Sequence, residues 1–156
     1  MIEIVDNFLK KYDLTNAQNT FLVGFSGGFD SLCLLDILND LSQRYGFKII
    51  ALHLNHNWRG EESKQEEINC KNFCEKKNIE FISETLEYTE QKTENVAREA
   101  RYNFFLKHAK LHKNSSIFTA HTRTDNAETL IYRIVKGTGI KGLQGILPKR
   151  IIDNVA

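Results

Sequence analysis

At 156 residues, with 21 Lys+Arg against 20 Asp+Glu and 41% hydrophobic residues, the chain has one domain's length and enough apolar content for a sizeable core. Its 26% charged residues and ten Phe exclude a disordered or fibrous protein, and no apolar run nears the roughly 20 residues of a membrane helix. Three cysteines cannot all pair, which points to a reducing cytoplasm, and Met1–Asp6 lacks the basic region of a secretory signal.

Ile2, Val5, Phe8 and Leu9 recur at helical spacing and predict a helix over 2–12. Thr20–Phe25 is a short apolar run closed by Ser26, Gly27 and Gly28, the pattern of a buried strand. Leu32, Leu34, Leu35, Ile37, Leu38 and Leu41 form a helical stripe that stops at Gly46. Lys48–Leu54 is a second strand, followed by a polar loop to Gly60. Residues 62–78 are charged and helical, with Ile68, Phe73 and two cysteines on the inner side. Glu80–Leu86 alternates weakly as a strand. Residues 94–112 read as a helix, Ser116–Ala120 as a strand and Asp125–Lys136 as a helix. Four of the nine glycines fall in 137–145, which predicts a loop.

Strands alternating with helices predict an α/β fold, a parallel β-sheet flanked by helices on both faces, with residues 1–156 in one domain. Ligands of such sheets bind beyond the carboxyl ends of the strands. The polar clusters 26–31, 53–59 and 121–128 sit at those ends. Charge is uneven: residues 1–60 carry −1, 61–100 carry −5 and 101–156 carry +7. The basic C-terminal third suits a polyanionic partner or a solvated lysine-rich helix face.

The segment Ser26-Gly27-Gly28-Phe29-Asp30-Ser31 joins the first strand to its helix. Two glycines let backbone N–H groups approach an anion, two hydroxyls add donors, and the helix N-terminus contributes partial positive charge. No lysine follows in Walker A position, and the dinucleotide glycine pattern is absent. An ordinary Gly-rich turn with Asp30 as a helix-start residue is the alternative.

Ser-Gly-Gly-x-Asp-Ser after a buried strand resembles the signature of the PP-loop superfamily, the N-type ATP pyrophosphatases. Three further stretches, Ala51–Ser63, Glu94–Tyr102 and Ala120–Thr129, together with Gly137–Gly145, resemble the tRNA(Ile)-lysidine synthases in the same order along nearly the whole chain. The resemblance implies an adenine nucleotide alpha hydrolase-like, Rossmann-like domain. It implies a cytoplasmic ligase of tRNA processing that uses ATP and Mg²⁺. Such an enzyme adenylates the C2 carbonyl of the wobble cytidine in the isoleucine tRNA with a CAU anticodon, and L-lysine then displaces AMP. No membrane is implied, and a homodimer is compatible with it.

By the same resemblance Ser26, Gly27, Gly28, Phe29, Asp30 and Ser31 grip the departing pyrophosphate, and Asp30 holds Mg²⁺ on the phosphates. His53, His56 and Arg59 line the nucleotide side, and His121 lies near the reacting phosphate. Arg101 offers bidentate contact to a phosphate, while for Arg98 pairing with Glu94 is the favoured reading. Asp125 and Glu128 share a helix face and suit a cationic lysine or its deprotonation; a capping box with Asp125 as N-cap is the alternative. The three histidines invite zinc, but His53 and His56 lie on an extended segment. His108 and His112 read as part of a solvated basic face. Trp58 replaces a smaller aliphatic residue and either packs the loop or stacks on a base. Thr124 stands where the family carries the first of two aspartates.

Two other readings compete. A PP-loop tRNA thiolation enzyme needs reactive cysteines, whereas Cys33, Cys70 and Cys74 read as buried small hydrophobes. A nucleotide-binding fragment without turnover is the third. The family's chains are longer, with helical and C-terminal tRNA-binding parts, so 1–156 reads as a truncated N-terminal catalytic domain.

Overall fold

The structure, a computed structural model, describes residues 1–86, 93–137, 139, 144–152 and 155, with Arg123 described by its backbone alone. Thr20–Gly24 (β1), Lys48–Asn55 (β2), Glu80–Thr85 (β3) and Ser115–Phe118 (β4) form one parallel sheet in the order β3-β2-β1-β4. β1 pairs on both sides, with Leu22 beside Ile50 and Ile117. That central position explains its unbroken apolar run, because a strand covered on both faces has no solvent side to make polar.

The pleat divides the core in two. Phe21, Val23, Phe25, Ile49 and Ala51 pack toward Ile2–Lys11 (α1), Phe29–Tyr45 (α2) and Glu61–Lys76 (α3), which contribute Leu9, Leu35, Leu38, Leu41, Cys70 and Cys74. Leu22, Ile50 and Leu52 face the other way, onto Phe104, Phe105 and Ala109 of Glu94–Ala109 (α4). The chain adds strands outward from β1 to β3, then returns through α4 on the opposite face to lay β4 beside β1. Strand order therefore reverses between β1 and β4, the position where open α/β sheets bind ligands. The last helix, Arg123–Val135 (α5), follows β4 directly. Among the described residues no helix is long and apolar enough to cross a membrane.

The expected elements are all present, with shifted ends. Gly46 stops α2 in the left-handed conformation (φ 81°), its N–H donating to Ser42 O at 2.8 Å. α4 ends at Ala109, three residues early, and β4 spans Ser115–Phe118 rather than 116–120. Ile68 points outward at 50% exposure, because the inner side of α3 is already filled by Cys70, Phe73 and Cys74. His108 is buried rather than part of a solvated face; its Nε2 lies 3.2 Å from Glu84 Oε1 on β3. The glycine-rich stretch 137–145 falls largely outside the described residues.

One close approach shapes the site. A Cβ built on Gly24 would lie 2.7 Å from Phe105 Cζ, so only glycine lets α4 sit this near the end of β1.

Candidate functional site

The loop after β1 is tied by its own hydroxyls. Ser31, buried beneath it, donates from Oγ to Gly28 O at 2.9 Å and accepts from Ser26 N at 3.2 Å; the two serine Oγ atoms are 3.1 Å apart. Gly27 has φ +84°, and a Cβ there would lie 3.1 Å from Cys70 Sγ, so this turn demands glycine. Gly28 is the N-cap of α2 and supplies no capping side chain, which leaves the first amides of a 17-residue helix facing the loop. Asp30 lies exposed in the first turn, and Phe29 is 92% exposed at the tip. The arrangement is a ready anion cradle.

Beyond β2 the polar residues divide. His53 is 4% exposed, and its Nδ1 is 2.8 Å from Phe25 O, so it clamps β2 to the start of the loop after β1. Asn55 donates from Nδ2 to Glu67 Oε2 at 2.9 Å, and Ser83 Oγ donates to the same carboxylate. Burial pushes the Glu67 acid up, but these two hydrogen bonds outweigh it and hold the group below the usual carboxylate range. Asn55 Oδ1 also accepts from Asn57 N at 2.8 Å, where Asn57 turns the chain at φ 52°. This network folds 56–59 back over the strand ends. His56 and Trp58 rings lie 5.4 Å apart, and Arg59 extends toward Glu62 and Glu66 on α3 at 3.7 and 3.5 Å. Arg101, from α4, reaches His56 with Nη2 3.5 Å from Nε2.

Beyond β4, Thr122 caps α5. Its Oγ1 accepts from Asp125 N at 3.2 Å, and its own N–H donates to Asp125 Oδ2 at 2.7 Å. The capping box is real but sits one turn earlier than expected, with Asp125 at N3 rather than at the N-cap and Glu128 left out of it. The Thr122 backbone hydrogen bond, with its side chain and His121 adding to it, holds the Asp125 acid below the usual range. His121 Nδ1 is 3.9 Å from Asp125 Oδ2, and burial, opposed by Asp125, lowers its basicity. Asp125, Glu128 and His121 line a cleft of about 840 Å³ together with Arg98, Tyr102 and Arg133. Arg98 lies 5.7 Å over the Tyr102 ring, with Arg150 over the same ring at 5.4 Å.

The three expected clusters thus share one end of the sheet: loop 26–31, His56 with Arg101, and His121 with Asp125 and Glu128. His53 stands apart as a buried clamp, and Arg59 turns toward α3. Sequence reasoning missed the Asn55–Glu67–Ser83 network; an Asn at a strand's last position with a Glu twelve residues on is too weak a signal to find it. Among the described residues no three His, Cys, Asp or Glu side chains converge to hold a metal. A cation at Asp30 would therefore share its oxygen ligands with a bound phosphate. Burial, with nearby Glu66 and Glu67, pushes the Cys70 thiol up to about 11, and burial pushes Cys74 up to about 12. Neither is a ready nucleophile.

The family described as PP-loop domain matches residues 2–155. The tRNA(Ile)-lysidine synthase of Clostridium tetani is 42% identical, over 99% of this chain and 34% of its own length. That of Clostridium acetobutylicum is 38% identical over 96% and 34%, and that of Petrotoga mobilis 39% over 90% and 47%. The chain spans between a third and a half of these curated relatives. Among solved structures it is similar in fold to a U34-tRNA thiolase from Methanococcus maripaludis, solved with its 4Fe–4S cluster. That likeness has a TM-score of 0.59 at 19% identity, over 83% of this chain and 47% of the other.

Proposed function

The chain belongs to the PP-loop domain family, and from that premise we propose that it is the ATP-activating part of a tRNA(Ile)-lysidine synthase. The observation that carries this reading is the anion cradle at the β1/β4 reversal, with Gly27 in a conformation reserved for glycine and the α2 amides unobstructed. In the proposed reaction the loop 26–31 binds the β- and γ-phosphates of ATP. The wobble cytidine O2 attacks the α-phosphorus, and pyrophosphate leaves into the loop. The lysine amine then attacks C2, and AMP departs with the oxygen.

Each residue has a task in that scheme. Arg101 neutralises charge that develops on the α-phosphate. Asp30 holds Mg²⁺, whose role is to offset the phosphate charge. Asp125, kept ionised by its cap, holds the incoming lysine ammonium, and Glu128, one turn along α5, takes its proton. The setting we assign is a reducing cytoplasm, supported by three free thiols, of which Cys70 and Cys74 are buried while Cys33, expected to be buried as well, is half-buried.

The test is pyrophosphate release from ATP–Mg²⁺ with and without L-lysine and the isoleucine tRNA, alongside calorimetric ATP binding. Release that needs both substrates supports the reading. ATP binding without release assigns this chain the nucleotide site and turnover to the additional length its relatives carry. Loss of activity in Cys70→Ala or Cys74→Ala would move the assignment to sulfur transfer.

A further inference from the structure

We propose that His56 is a positioning residue whose Nε2 accepts a hydrogen bond from Arg101 and holds that guanidinium across the mouth of the loop after β1. The inference deepens the ATP-site reading above and rests on it. Arginine can only donate, so the 3.5 Å approach of Arg101 Nη2 is attractive only if Nε2 carries the lone pair and Nδ1 the proton. His56 Nδ1 is buried and makes no hydrogen bond with the described residues, so no donor there draws the ring to the opposite tautomer, and the contact with Arg101 decides it. A protonated ring would set two cations side by side.

The sheet order says where the guanidinium stands. His56 follows β2, and His121 follows β4; β1 lies between those strands. Arg101 approaches His56 directly and adds the smallest of the electrostatic effects on His121. α4 packs against the end of β1, with Phe105 on Gly24, and Arg101 stands four residues before Phe105 on the same helix. The groups facing His56 agree with a neutral ring. Burial, then Arg101 on α4 and His53 on β2, lower its basicity, and only Glu94 on α4 opposes them.

Trp58 makes the pair observable. It is the chain's one tryptophan, its ring is 5.4 Å from His56, and an imidazolium beside an indole quenches emission. Without nucleotide, Trp58 emission should fall on acidification with a midpoint below the ordinary histidine value of about 6.5. That midpoint should rise in Arg101→Gln, and the transition should vanish in His56→Gln. At neutral pH His56→Leu should weaken ATP–Mg²⁺ binding about tenfold by calorimetry, the size of one lost hydrogen bond. His56→Gln, which keeps an acceptor, should restore most of it. An unmoved midpoint in Arg101→Gln, or wild-type affinity in His56→Leu, overturns the proposal. Absence of ATP binding in the wild type would instead overturn the site reading, while the emission titration still tests the pair.

Discussion

Gly27 shows most directly how one residue type serves the chemistry. Its φ of +84° strains any side chain, and a Cβ there would press on the Cys70 sulfur 3.1 Å away. We expect Gly27→Ala to cost about 1–2 kcal/mol in thermal unfolding and to weaken ATP binding at least tenfold in calorimetry. The double variant with Cys70→Ala should recover part of the stability, since it removes the contact but not the strained φ. Asp125 combines two roles that the sequence suggests as alternatives: it closes a cap, and its carboxylate also faces the cleft. Asp125→Asn keeps a cap acceptor and removes the charge, so on the proposed function lysidine formation should drop more than tenfold with little change in unfolding temperature. His108 resists sequence reasoning for a plain reason. Its partner Glu84 lies on another element, and a helix rich in lysine disguises one buried position.

Whole elements are legible where hydrophobic burial alone decides them. β1 and β2 are continuous apolar runs, and α2 is a leucine stripe with a glycine stop. Their ends are less legible, because caps turn on single hydrogen bonds: the Thr122 box starts α5 two residues ahead of Asp125. The docking of α1 on α2 is another polar detail hidden from pattern. Asp6, largely buried, accepts from Lys10 Nζ at 2.7 Å and Tyr45 Oη at 2.6 Å, with Arg44 at 3.6 Å. The Lys10 hydrogen bond, then that from Tyr45, lowers the Asp6 acid in the folded state. A lowered acid adds stability above its unfolded value, near 3.9, and loses it as pH falls through the folded value. Thermal midpoints of wild type and Asp6→Asn should therefore differ at pH 7, with the gap closing only as the pH falls from about 4 through the lowered folded value. A constant gap would assign the Asp6 effect to packing.

At the scale of the molecule, the charge balance conceals a direction. The −5 middle segment includes α3 on one face of the sheet, whereas the +7 segment supplies Arg133, Lys149 and Arg150 to the cleft beside β4. On the proposed function, Arg150→Ala should weaken tRNA affinity about equally for any tRNA sequence and reduce the log–log salt slope by about one. A change confined to the isoleucine tRNA would mark Arg150 as a base reader instead. That several clusters would share one sheet end was legible from the alternation of strands and helices. Which of them face each other was not. Only the strand order, with β1 flanked by β2 and β4, brings His56 and His121 to either side of one loop.

Gly24 has a reach beyond its own position. The hydrogen in place of a methyl group sets the stand-off between α4 and the sheet, and α4 is the beam on which Arg98 and Arg101 are mounted. Even one carbon at residue 24 would collide with the Phe105 ring, on the helix that also carries the two arginines. The space between the helix and the sheet is thus set from underneath, by the smallest side group on β1.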